Sequence, residues 1–105
     1  MLVRMAHWKC RPDCWGEDHA LFEGGAVPIM QGHAGFVRAM LLGRPDAVER
    51  IAFTVWQDRA AYERFCASPD LARITEMFAH MYVEGEHPKP DEFIVRAQGA
   101  AKSGT

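Results

Sequence analysis

The chain has 105 residues, 49% of them hydrophobic and 25% charged, with a formal net charge of −2. This composition is typical of one ordinary globular domain. Its 12 basic and 14 acidic residues are interspersed along the sequence, so no long-range field would attract nucleic acid or anionic lipid, and neither is predicted as a partner.

Export and membrane insertion are not predicted either. No stretch approaches the roughly 20 consecutive apolar residues that cross a bilayer. The opening MLVRMAHWK carries charge within its apolar stretch, and no small-residue cleavage site follows, so it indicates a strand rather than a signal peptide. Cys10, Cys14 and Cys66 are an odd number of cysteines, which predicts reduced thiols in a cytoplasmic protein.

The first third of the chain predicts a strand followed by a helix. Residues 2–10 alternate loosely between apolar and polar types, and Arg11-Pro12-Asp13 ends the strand. Asp13 is predicted to cap a helix that ends at residues 32–35, although Gly24-Gly25 and Pro28 weaken it and favour two pieces. The face predicted to be buried consists of Trp15, His19, Phe22, Ala26 and Ile29.

A β-hairpin is predicted next, with strands at residues 36–42 and 48–57. Gly43-Arg44-Pro45-Asp46 lies between two apolar runs and is typical of a turn. Because side chains alternate across a strand, the third strand presents a different set on each face. Ile51, Phe53 and Val55 fall on one face, and Ala52, Thr54 and Trp56 fall on the other.

Two more helical pieces and a last strand are predicted in the remaining sequence. Asp58 is expected to cap the first piece, and Ser68-Pro69-Asp70 marks a break and a new helix start. Residues 87–90 contain two prolines and predict a loop, and residues 93–97 alternate like a strand. The tail from Gln98 is small and polar and is predicted to be disordered. The buried stripe of the second helical piece is predicted at Leu71, Ile74, Phe78 and Met81.

These elements predict an α+β fold of the ferredoxin-like βαββαβ type, with a four-stranded antiparallel sheet. The helices can cover one face of the sheet, yet the third strand carries large apolar side chains on both. Burying Ile51, Phe53 or Val55 is worth roughly 1.5–3 kcal/mol each. A homodimer is therefore predicted to cover the second face; the alternative is a lone domain whose sheet is partly solvated.

Three stretches carry a resemblance to a known family: Gly35-Phe36, the run FTVWQDRAAY at residues 53–62, and Ala67-Ser68-Pro69. They resemble the antibiotic biosynthesis monooxygenase-like domain of the dimeric α+β barrel superfamily, over roughly residues 2–97. A domain at residues 1–97 and a disordered tail at residues 98–105 are therefore expected. The resemblance implies a pocket between helices and sheet, where an electron-rich aromatic substrate meets oxygen without flavin, metal or other cofactor.

The resemblance leaves two further hypotheses open. In one, the chain is a non-catalytic module that binds haem or another flat hydrophobic ligand, and in the other it is a purely structural dimer with a solid core. The haem-degrading branch has the same tryptophan, with an asparagine in the first strand and a haem-ligating histidine in the last helix. This chain has Ala6 and Thr75 at those places, so haem degradation by that route is not predicted.

Trp56 and His80 are the predicted catalytic residues of the oxygenase hypothesis. Trp56 stands at the family's tryptophan, where its ring would stack on an aromatic substrate and its indole N–H would orient an oxygen atom; core packing is the alternative. His80 would remove a phenolic proton as a general base, and the alternative is a hydrated histidine on the helix flank. Substrate contacts are predicted for Trp8, Phe22, Tyr62, Met77, Phe78 and Met81.

One cluster has the residue types that zinc accepts, namely His7, Cys10, Cys14 and His19. However, His7 and Cys10 fall on opposite faces of the predicted first strand, and no Cys-x-x-Cys pair is present. We therefore predict no metal site in this cluster. Cys14 is expected to be an incidental thiol near a helix N-terminus.

Overall fold

A computed structural model describes residues 1–102 of the chain. Four strands within these residues form one antiparallel sheet with helices packed against it, so the predicted α+β ferredoxin-like fold is confirmed. None of the described helices is long and apolar enough to cross a membrane. The strands are β1 (Leu2–Lys9), β2 (Phe36–Gly43), β3 (Glu49–Trp56) and β4 (Lys89–Ile94), and they lie in the sheet in the order β2-β3-β1-β4. The helices are α1 (Glu17–Leu21), α2 (Val27–Gln31), α3 (Arg59–Ala67) and α4 (Pro69–Phe78), with a π-helical segment at Phe22–Ala26 between α1 and α2. Two 3₁₀ turns lie at Pro12–Cys14 and Ala79–Met81.

The helical segment after β1 differs from its prediction in start and in phase. It begins at Glu17 rather than after Asp13, which lies in the preceding 3₁₀ turn. Trp15 and His19 are exposed, so the predicted face is wrong at these two positions. The π-helical turn takes in an extra residue at the two glycines, and buried positions therefore recur every four residues. They are Cys14, Asp18, Phe22, Ala26 and Met30.

The two later helices start where the sequence predicts. The Asp58 carboxylate accepts a hydrogen bond from the Ala61 N–H at 2.8 Å, and the Ser68 hydroxyl accepts one from the Asp70 N–H at 3.3 Å. Both are N-caps, which satisfy otherwise unpaired helical donors. Gly35 brings the start of β2 against α3, because a Cβ at this position would lie 2.4 Å from the Ala61 Cβ.

The last strand lies earlier than predicted, at Lys89–Ile94 instead of residues 93–97. Pro90 is accommodated because β4 is an edge strand, where a missing N–H donor leaves no partner strand unsatisfied. Residues 98–102 form no helix or strand. The predicted disordered tail at residues 98–105 falls partly on residues 103–105, which lie outside the described residues.

The sheet has two unlike faces. The helices pack on the face of Trp56, whose ring stacks on that of Phe65 from α3. The opposite face carries the register-matched row Met40, Phe53 and Met5. On this face Met40 is 41% exposed and Phe93 is 53% exposed, so the apolar character predicted for both faces is present in the structure. We call the side away from the helices the open face.

Candidate functional site

A cavity of about 330 Å³ lies between the helices and the sheet. Its walls are mostly apolar, and they come from β1, β3 and the start of β4 on the sheet side and from the π-helical segment, α2, α3 and α4 on the helix side. Small-molecule sites in proteins begin at about this size and have this kind of lining. Five of the predicted site residues line it, namely Trp8, Phe22, Trp56, Tyr62 and Phe78.

Trp56 forms one wall of the cavity and is itself fully buried. Its ring stacks on Phe65 with the centroids 5.0 Å apart and meets Tyr62 edge-on at 5.8 Å. The indole N–H is not available to a substrate oxygen, because it donates to the Thr54 hydroxyl oxygen at 3.1 Å. The predicted orienting role of this N–H is therefore wrong, and what Trp56 offers a ligand is ring surface and shape.

The other end of the cavity is walled by edge-to-face aromatic pairs. The Trp8 ring lies 5.9 Å from Phe78 and 5.4 Å from Tyr82, and Phe22 lies 6.5 Å from Phe78. Such pairs stabilise one another beyond their buried area. They hold rigid ring edges around the space that a flat ligand would occupy.

Arg4 is the one charged residue among the described residues that line the cavity. Its guanidinium donates from Nη1 to the Glu92 carboxylate at 2.5 Å, and Arg59 forms an ion pair with the same carboxylate. The guanidinium carbon lies 4.6 Å from the centre of the Tyr62 ring. Arg4 is not among the predicted site residues, although its strand parity with Ala6 and Trp8 places it on the helix side.

Both tyrosines of the cavity are held in the neutral form. Burial, followed by contact with the Cys66 thiol, raises the pKa of Tyr62, and burial alone raises the pKa of Tyr82. A neutral phenol donates a hydrogen bond but does not act as a base at neutral pH. The polar side-chain groups of the described lining are therefore hydroxyls, indole N–H groups and one guanidinium, none of which is a base at neutral pH.

His80 lies outside the cavity lining, contrary to its predicted role as the base. Helix α4 ends at Phe78, and the 3₁₀ turn that follows directs the His80 side chain outward, where it is 55% exposed. Its Nε2 lies 3.0 Å from a carboxylate oxygen of Glu17. Met77 and Met81 are also absent from the lining, since Met81 is fully buried in the core and Met77 contacts the helix segment at Gly25.

The positions compared with the haem-degrading branch do lie in the cavity wall. Ala6 and Thr75 both line it, so neither an asparagine nor a histidine reaches a ligand from these places. Among the described residues, no three of His7, Cys10, Cys14 and His19 bring their ligand atoms within 4.8 Å of one another. His7 faces Asp91 across the sheet, and His19 faces Asp18 on its own helix.

Several solved structures share this fold. The ActVA-Orf6 monooxygenase of Streptomyces coelicolor, in complex with nanaomycin D, superposes with a TM-score of 0.80 at 19% identity, over 96% of this chain and 92% of that one. SnoaB of Streptomyces nogalater, a cofactor-independent oxygenase, has a TM-score of 0.75 at 19% identity, over 92% and 94% of the two chains. An antibiotic biosynthesis monooxygenase has a TM-score of 0.66 at 16% identity, over 94% and 100%.

The chain thus has the fold of the antibiotic biosynthesis monooxygenase-type proteins, and the resemblance stated from the sequence is confirmed at the level of fold. No protein-family model matches the sequence, and no curated protein matches it either.

Proposed function

We propose that this protein is a small cofactor-independent oxygenase that acts on a phenol or quinol in the cavity under the helices. The observation that carries the proposal is an aromatic cavity of about 330 Å³ with Arg4 as the one charged residue among its described lining. The ring walls suit a flat aromatic substrate, and the guanidinium suits an oxygen that carries negative charge. The fold shared with SnoaB and ActVA-Orf6 agrees with this chemistry.

Arg4 replaces His80 as the residue that promotes ionisation of the substrate. A guanidinium stays protonated in proteins, so it cannot remove a proton, but it lowers the pKa of a phenol held beside it. The phenolate is electron-rich at the ring carbon opposite its oxygen. Glu92 and Tyr62 hold the guanidinium in place, which makes them positioning residues.

For a phenol with a hydrogen on the ring carbon opposite its oxygen, the proposed reaction balances without an external reductant. Oxygen attacks the ring carbon opposite the phenolate, and the carbon–hydrogen and oxygen–hydrogen bonds of the phenol are lost. One oxygen atom becomes the new carbonyl of a quinone, and the other leaves as water with the two hydrogens. The substrate supplies all four electrons that reduce O₂.

Oxygen consumption with a panel of hydroquinones and phenols tests this proposal. Arg4→Met should lower kcat/KM strongly, since removing one preorganised stabilising group costs about 10²- to 10³-fold in comparable sites. Arg44→Met is the matched control, because Arg44 is 81% exposed and pairs only with Glu49 among the described residues. A panel on which the protein consumes no oxygen would contradict the proposal.

A non-catalytic binding module for haem or another flat ligand is the second candidate. One observation favours it: the described lining contains no histidine, aspartate or glutamate that could accept a proton. Titration with haemin would distinguish the two, since binding would shift the absorption band of haemin. Haemin binding without any oxygen consumption would support the non-catalytic binding module.

We also propose that two copies associate through the open face. Its central side chains are apolar, and Met40, Leu42 and Phe93 are 41, 38 and 53% exposed. A second copy placed face to face would bury them through one self-complementary surface. The three cysteines are unbridged, which agrees with a cytoplasmic location, and we propose residues 1–97 as the domain that pairs.

A further inference from the structure

Three side chains that can bind metals meet on the surface away from the cavity: Cys14, Glu17 and His80. One ligand atom of each lies within 4.8 Å of the others. The His80 Nε2 and a Glu17 carboxylate oxygen are 3.0 Å apart. The thiol is buried, whereas the carboxylate and imidazole are 52% and 55% exposed. The buried thiol therefore lies beneath two polar side chains that solvent reaches.

Backbone hydrogen bonds join the two chain segments that supply these groups. Cys14 ends the 3₁₀ turn after β1, Glu17 begins α1, and His80 lies in the turn after α4. The Arg11 N–H donates to the Met81 carbonyl at 2.8 Å, and the Arg11 guanidinium donates to the His80 carbonyl at 3.3 Å. The cluster is therefore set by the packing of distant segments and not by a local sequence spacing.

We propose that Cys14, Glu17 and His80 bind one zinc-type divalent cation. Sulfur, imidazole nitrogen and carboxylate oxygen are the donors that Zn²⁺ takes, and three protein ligands leave its fourth position to water. Tetrahedral coordination places donor atoms roughly 3.3–3.6 Å apart, from metal–ligand lengths of about 2.0–2.3 Å. The separations of 3.0 Å and up to 4.8 Å bracket this spacing, and the two exposed side chains are free to adjust.

The local charges agree with a cation at this point. Arg11 is the neighbouring cationic side chain, and the Asp13 carboxylate pairs with it at 2.7 Å. The Glu17 carboxylate then remains as a negative group beside the thiol and the imidazole. A bound divalent ion would interact with all three ligand atoms at once. The exposed pair of Glu17 and His80 contributes little stability by itself.

Such a site would influence the cavity through residues that lie close to its ligands in the sequence. Phe22 follows α1, and Phe78 and Tyr82 lie two residues to either side of His80. All three line the cavity. A cation bound by Cys14, Glu17 and His80 would therefore tie the first helical segment to the end of α4 and restrain this wall.

Titration of the metal-free protein with Zn²⁺ and Co²⁺ tests the proposal. We expect one Zn²⁺ per chain, and a thiolate-to-cobalt charge-transfer band with Co²⁺. Cys14→Ser should abolish the band, and His80→Ala should weaken binding by at least roughly 10- to 100-fold, the loss seen when supporting partners of a metal site are removed. Cys66→Ser and His19→Ala are matched controls, because both residues lie outside the cluster.

At the same concentration, Zn²⁺ should also raise the melting temperature of the wild type and of Cys66→Ser clearly more than that of His80→Ala. This second readout decides the matter if Cys14→Ser fails to fold, since His80 is exposed and its substitution leaves the core unchanged. Equal zinc affinity in wild type, Cys14→Ser and His80→Ala would overturn the proposal. So would a folded wild-type protein that gives no charge-transfer band with Co²⁺.

Discussion

Arg4 places its guanidinium carbon 4.6 Å from the centre of the Tyr62 ring, at the wall of the cavity. A cation over an aromatic face is worth about 0.5–1 kcal/mol when exposed and about 2 kcal/mol when desolvated. Because Glu92 holds the same guanidinium from the edge strand, the charge is fixed in direction before any ligand arrives. The proposed role of Arg4 depends on this fixed geometry.

Tyr62 is predicted to act on Arg4 through its ring and not through its hydroxyl. Tyr62→Phe keeps the aromatic face and should leave the affinity for a phenolic ligand within about twofold of wild type. Tyr62→Leu removes the face and should weaken binding by about two- to fivefold, the equivalent of 0.5–1 kcal/mol. Isothermal titration with a non-reactive phenol measures both values. Equal losses in the two variants would assign the effect to the hydroxyl instead.

Trp56 is predicted to support the fold as well as the cavity, since it is fully buried and stacks on Phe65. Trp56→Ala should reduce the free energy of unfolding by about 3–5 kcal/mol, the usual cost of emptying such a site. Urea denaturation at neutral pH measures it. Trp15→Ala is the comparison. Because Trp15 is 36% exposed, this variant should lose clearly less of the free energy of unfolding. A loss below about 1 kcal/mol for Trp56→Ala would contradict the packing seen here.

Asp70 is predicted to make the stability of the folded protein depend on pH in the acidic range. Its hydrogen bond with His33, at 2.7 Å, and then that with Arg73 lower the pKa of the Asp70 carboxyl. A carboxyl whose folded pKa is depressed contributes stability above its unfolded pKa, near 3.9, and loses it as pH falls through the folded value.

Melting temperatures of wild type and Asp70→Asn between pH 6 and pH 2 measure this contribution. The wild type should exceed the variant at pH 6, and the difference should shrink toward zero as the pH approaches 2. Asp91→Asn is the control, since Asp91 lies on the edge strand near His7 and away from Asp70. A difference that stays constant across this range would show that Asp70 does not titrate with folding.

Met40 is predicted to lie at the centre of the contact between two copies. Met40→Asp puts a charge into the apolar row with Phe53 and Met5, and burying an unpaired charge is strongly unfavourable. Sedimentation should therefore show a dimer for wild type and a monomer for Met40→Asp. Ala72→Asp adds the same charge to the exposed surface of α4 and should remain dimeric. A monomeric wild type at micromolar concentration would contradict the proposed pairing.

Much of the fold could be predicted from short-range sequence signals. Strand alternation correctly grouped Thr54 with Trp56 on one face of the sheet, and Asp58 and Ser68 correctly marked two helix starts. The last strand was placed too late, because two prolines indicated a loop and an edge strand tolerates Pro90. The candidate site was predicted in part, since its aromatic walls follow from parity and helical spacing.

What the sequence alone determined is the order of the elements and the face on which each strand residue lies, because these depend on neighbours one to four positions away. The direction of His80, the cation at the cavity and the meeting of Cys14 with His80 were decided only by tertiary structure. The physical reason is that a helix end, an ion pair between β1 and β4, and the docking of two distant turns depend on packing between segments far apart in the chain.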